Sequence, residues 1–100
     1  MTIYISNAFS PNMVRGNAKI QINEVTKKDF IQAGKIATSI IGHPEIAEHF
    51  GLELNRIGIT LDKGDVLYIV TPNQRPSAEM YTFIEEDQGW TYRRIELLQE

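Results

Sequence analysis

The chain has 100 residues, 42% of them hydrophobic and 23% charged, enough for one globular domain with a single core and too few for two. It contains no cysteine and only two histidines, which excludes disulfides, thiolate metal sites, cysteine nucleophiles and a three-histidine zinc site within one chain. A net charge of −3 argues against tracking along long nucleic acid, which needs extended Lys/Arg stripes, and leaves room for a local positive pocket around a small anion.

No linker, repeat or charge block divides residues 1–100, so the expectation is one domain. Ile3 and Ile5 alternate with Thr2, Tyr4 and Ser6 as in a half-buried strand, and Ile20, Ile22 and Val25 repeat the pattern in a second. Between them Ser10 suits a helix N-cap, Pro11 the first helical position and Gly16 a left-handed stop. One helical turn fits there, with Phe9 and Val14 spaced as a hydrophobic staple.

Thr26 and Asp29 have the spacing of a capping box, and Phe30, Ala33, Ala37, Ile40 and Ile41 recur at helical intervals, predicting an amphipathic helix over residues 27–41. Gly42 interrupts it. Pro44 then opens a second helix that runs through Phe50 and stops at Gly51, with His43 at its N-cap. Residues 57–61 and 66–71 flank the turn Asp62-Lys63-Gly64-Asp65 and predict an antiparallel hairpin. Residues 72–77 form a loop by composition. Tyr81 to Ile84 and Trp90 to Ile95 flank Asp87-Gln88-Gly89 as another hairpin, with a short helix over residues 93–98 as the alternative. The fold class expected is α/β: a single small domain with a mixed, mainly antiparallel sheet covered by helices on one face.

No window reaches the ~18 apolar residues of a membrane span, and Met1-Thr2-Ile3-Tyr4 lacks a basic signal start. The expected location is the cytoplasm, with no membrane partner.

Four polar places can carry chemistry: the loop of Asn7, Ser10 and Asn12; His43 after Gly42; Gln74-Arg75 after a predicted strand; and Glu79 beyond it. Each also has an ordinary structural use. Asparagines satisfy loop backbone groups, a histidine can sit at a helix corner, and an arginine in a loop is usually solvated. The chemical uses are sharper. Amide side chains hydrogen-bond base edges and phosphate oxygens, imidazole is the side chain best suited to proton transfer near neutrality, and a guanidinium grips phosphate bidentately. His49, inside the second helix, reads as an ordinary partly exposed residue. No carboxylate pair has the character of a metal or glycosidase site.

The run Ser6-Asn7-Ala8-Phe9-Ser10-Pro11-Asn12-Met13, the Ile41-Gly42-His43 corner, Asn55-Arg56-Ile57-Gly58-Ile59 and Gly64-Asp65 together resemble the viral type III anti-CRISPR ring nuclease family. Members also occur in bacterial mobile elements. The resemblance spans roughly residues 3 to 80 and implies a homodimer that binds cyclic tetra-adenylate across its two-fold interface. It further implies cleavage without a metal or cofactor, and residence in the host cytoplasm if the chain is viral. A four-fold ring contains a two-fold axis, so an isologous dimer presents the same residues to opposite phosphodiesters.

Carried over by position, the catalytic histidine corresponds to His43 and the loop arginine with its preceding glutamine to Gln74-Arg75. Asn7, Ser10 and Asn12 match the ligand-cradling loop. The family carboxylate usually lies three residues after the arginine; Ala78 stands there, and Glu79 follows it. The implied reaction is attack of a ribose 2′-hydroxyl on the adjacent phosphate, giving linear di-adenylates with 2′,3′-cyclic phosphate ends. Two other classes fit the same residues: a protein that sequesters a cyclic nucleotide uncut, and a mobile-element module that docks on a host protein.

Overall fold

The computed structural model describes residues 2–73 and 89–98. Five strands form one mixed sheet: β1 (Ile3–Ser6), β2 (Ile20–Val25), β3 (Thr38–Ser39), β4 (Val66–Pro72) and β5 (Trp90–Leu97), in the order β2-β5-β4-β1-β3. β4 and β5 pair antiparallel, as do β2 and β5, while β1 runs parallel to both β3 and β4. The longer ladders are the antiparallel ones, as the α/β expectation required. Two helices, α1 (Lys27–Gly34) and α2 (Pro44–Phe50), pack on one face.

Alternation along the strands divides the core in two. On the helix side, Ile5, Val70 and Tyr92 meet Phe30 of α1 and Ile46 of α2. On the reverse side, Leu67, Ile69, Ile95 and Leu97 are covered by Leu61 and by the partly buried Phe9, Met13 and Val14. The central position of β4 follows from its composition: an apolar run with buried residues on both faces belongs where both faces are covered.

Local signals act as their chemistry dictates. The Thr26 hydroxyl accepts from Asp29 N–H at 3.1 Å while the Asp29 carboxylate accepts from Thr26 N–H at 3.4 Å, a complete capping box. Pro11 to Met13 make a 3₁₀ turn capped by the Ser10 hydroxyl. Gly51, at φ 64°, ends α2, and Leu52 N–H reaches back to Ala47 C=O at 2.8 Å, the six-to-one bond of a Schellman cap that only a left-handed residue permits.

Two expectations are corrected. The helix predicted over residues 27–41 stops at Gly34, after which the chain turns and enters β3. Ile40 N–H donates to Ile5 C=O at 2.9 Å, and Ile40 and Ile41 enter opposite layers of the core. Adjacent side chains on opposite faces are strand geometry. The β-branched residues Thr38, Ile40 and Ile41 prefer it, and pairing with β1 satisfies backbone groups that a longer helix would have satisfied internally.

The hairpin of residues 57–61 with 66–71 does not form. Its turn does, with Asp65 N–H bonded to Asp62 C=O at 3.0 Å and Gly64 at φ 90°. Both sides of β4 are occupied by β1 and β5, so the preceding segment crosses the reverse face instead, and Leu61 bridges Val14. Trp90–Leu97 is a strand, which excludes the helix alternative for residues 93–98; Tyr81 to Ile84 lie outside the described residues.

Asp65 locks this turn. The residue is 7% exposed, and its carboxylate accepts from Thr2 N–H and Asp62 N–H, each at 2.9 Å. Removing the acceptor of two backbone donors should be expensive: Asp65→Ala is expected to lose about 1 to 3 kcal/mol of unfolding free energy in urea titration.

Candidate functional site

Because β1, β3 and β4 are parallel, their carboxyl ends share one end of the sheet, the place where open α/β sheets bind ligands. β1 delivers Asn7 there, the chain leaving β3 delivers Gly42 and His43, and β4 ends at Pro72 before Asn73. The Asn7 side-chain oxygen accepts from Gly42 N–H at 3.2 Å. This bond ties the asparagine loop to the histidine corner.

His43 is the N-cap of α2, yet its side chain makes no capping bond. The imidazole is about one-quarter exposed, and its Nδ1 lies 3.1 Å from Oε2 of Glu45. Capping is therefore not what its ring does. Pro44, in the first helical position, needs no donor partner there, so the imidazole can turn to Glu45.

The segment after α2 brings a cation to the same corner. Leu54 bridges Ile41, and Asn55 N–H donates to Ile41 C=O at 2.9 Å. The Asn55 amide donates to Ser39 C=O at 3.2 Å, and the Ser39 hydroxyl donates to Glu53 C=O at 2.5 Å. These bonds hold Arg56 over Gly42: its Nε donates to Gly42 C=O at 3.1 Å. The guanidinium edge carrying both Nη groups makes no hydrogen bond among the described residues and is exposed.

The chain is similar in fold to a viral protein, B116 of Sulfolobus turreted icosahedral virus. The likeness has a TM-score of 0.69 at 19% identity and covers 96% of this chain and 99% of that one. No protein family and no curated protein matches the sequence.

Of the residues expected from sequence, Asn7 and His43 meet at one corner. The Ser10 hydroxyl caps the 3₁₀ turn by accepting from Asn12 N–H at 3.4 Å, and Asn12 is exposed. Gln74, Arg75 and Glu79 lie outside the described residues; the chain enters that segment from the carboxyl end of β4. Arg56 and Glu45 were not among the expected site residues. His49 stays an exposed helix residue, its ring 5.4 Å from that of Trp90. No helix among the described residues is long and apolar enough to cross a membrane.

Proposed function

We propose that this protein binds cyclic tetra-adenylate as a homodimer and cuts it to linear di-adenylates ending in 2′,3′-cyclic phosphate, switching off type III CRISPR signalling. The observation that carries this reading is the convergence of Asn7, His43 and Arg56 at the carboxyl ends of three parallel strands. An amide, an imidazole and an uncommitted guanidinium edge are the groups needed to hold a phosphodiester and move one proton on it.

The ring's own 2′-hydroxyl is the nucleophile, so the reaction calls for no metal-bound water. Its oxygen bonds to phosphorus and its proton passes to solvent water as the bond from phosphorus to the 5′-oxygen breaks. His43 donates a proton to that leaving oxygen. With Nδ1 turned to Glu45, donation falls to Nε2, and Glu45 acts as a positioning residue. Arg56, together with Arg75, balances charge gathering on the phosphoryl oxygens. Asn7, Ser10, Asn12 and Gln74 hold the ring, and Glu79 orients Arg75 or the hydroxyl. Alignment of hydroxyl, phosphorus and leaving oxygen supplies the remaining acceleration.

Incubating the purified protein with cyclic tetra-adenylate in the presence of a chelator, and recording ligand mass, tests this directly. Linear di-adenylate with a cyclic phosphate end is the expected product. An intact ring that co-purifies with the protein would make it a sequestering protein, and an intact ring that does not bind would remove the nucleotide altogether.

A further inference from the structure

Two short helices cover only part of the helix face of the five strands, and along α1 they leave a groove. Its volume of about 400 Å³ falls within the ~300–1,000 Å³ of small-molecule sites. Four neighbouring strands each supply one residue to the floor: Val25 of β2, Arg94 of β5, Tyr68 of β4 and Ile3 of β1. The wall is one flank of α1 and the turn after it, where Asp29, Gln32 and Ile36 recur at helical spacing. Phe30, on the adjoining flank, packs instead on Phe50 of α2.

The groove is graded from charged to apolar. Arg94 is level with Tyr68 and Asn23, while Ile3 lies two residues down β1 from Ile5, the partner of Tyr68. Asp29 comes from the first turn of α1 and Ile36 from beyond its end. One end therefore carries a carboxylate and a guanidinium, and the other carries Ile3 and Ile36, the latter 75% exposed. The Tyr68 ring joins the two, its centre 6.0 Å from the guanidinium carbon. Asp29 Oδ2 accepts from Thr26 N–H in the capping box, and Arg94 Nη1 donates to Glu96 Oε1 at 2.6 Å. These bonds fix both charged groups and leave Asp29 Oδ1 and the Nε–Nη2 edge of Arg94 for a ligand.

We infer that this groove binds an α-amino acid with a large apolar side chain. The ligand carboxylate meets the Nε–Nη2 edge of Arg94, the geometry of a bidentate pair, and its ammonium meets Asp29. Its side chain lies along Tyr68 toward Ile3 and Ile36. The charges select this class. A simple anion would sit beside Asp29 and Glu96, and a simple cation beside Arg94. A neutral apolar molecule would strip water from both charges and pair neither. A zwitterion with an apolar tail satisfies both charges and covers Ile36. The apolar end of the groove lies at the amino end of β1, whereas Asn7 and the His43 corner lie beyond its carboxyl end. The inference therefore does not rest on the proposed reaction.

Titrating isotope-labelled protein with L-phenylalanine, followed by amide NMR, tests it. The signals of Gln32, Ile36 and Arg94 should shift saturably while those of Gly42 and His43 stay in place. Phenylpropanoate, which lacks the ammonium, and phenylethylamine, which lacks the carboxylate, should each bind about tenfold or more weakly, the loss of one charged contact. Arg94→Gln should lose a similar factor with its melting transition still cooperative. Asp29→Asn, which keeps the side-chain shape at an exposed position, carries the same expectation and decides the matter if Arg94→Gln does not fold. No shift at millimolar phenylalanine, equal affinity for either analogue, or parental affinity in a folded variant would each overturn the assignment.

Discussion

Replacing Phe30 with alanine should destabilise the protein by about 3 to 5 kcal/mol, the cost of a large aromatic cavity that its surroundings cannot close. The ring is 1% exposed, with centroids 5.4 Å from Phe50 and 5.2 Å from Tyr92, and Phe50 in turn stands edge-on to Trp90 at 5.2 Å. These neighbours are held independently. Tyr92 lies on β5 between its β2 and β4 partners, Trp90 pairs with Pro72 of β4, and Phe50 is pinned by the Schellman turn at Gly51. None can swing into the gap without breaking backbone hydrogen bonds. A domain of this size has a total stability of about 5 to 15 kcal/mol, so the variant should show a much lower urea midpoint or be unfolded at ambient temperature. A loss below about 1 kcal/mol would mean that the aromatic layer repacks around the space.

The parts of the fold that were legible in sequence are those set by neighbours in the chain. Thr26 with Asp29, Ser10 with Pro11, and Pro44 with Gly51 each specify an element end through bonds spanning a few residues, and all three appear as expected. The two failures share a physical cause. Ile40 and Ile41 continue the helical spacing of Phe30 and Ala33, but their partners lie across space on β1 and on the reverse layer. Periodicity cannot register a competing strand more than thirty residues away. The turn from Asp62 to Asp65 was likewise readable, while the choice to pair β4 with β1 and β5 depended on both of those strands outcompeting residues 57–61.

The candidate site divides along the same line. Asn7 and His43 stand out because each follows a strand-like run or a glycine corner that can be seen locally. Arg56 is brought to Gly42 from 14 residues away through the Ile41 to Leu54 bridge, and only the Asn55-Arg56 pair preceding an apolar run hinted at it. Glu45, two residues from His43, had a local signal in the His-Pro-Glu order: proline at the first helical position leaves the imidazole without a capping duty there and sets the carboxylate within its reach.

Substituting His43 by alanine should reduce single-turnover cleavage of cyclic tetra-adenylate by about 10² to 10⁴-fold while leaving ligand affinity nearly unchanged, because proton donation is an interaction made in the transition state. The structure makes this variant unusually clean. The side chain gives α2 no capping bond, and the helix start is set by Pro44, so removing the ring leaves the start of α2 in place. Thermal stability should therefore stay close to that of the parent. Arg56→Ala supplies the contrast: a guanidinium gripping phosphate contributes to the ground state as well as to the transition state, so its loss should weaken binding and cleavage together. Glu45→Gln should follow the His43→Ala pattern with a smaller loss, lowering turnover with affinity preserved, since it removes the charge beside Nδ1 and keeps the side-chain shape. Near-parental turnover by folded His43→Ala would end the assignment of the general acid. If Arg56→Ala still lost affinity in the same assay, the corner would remain a phosphate site and the proton would come from another group.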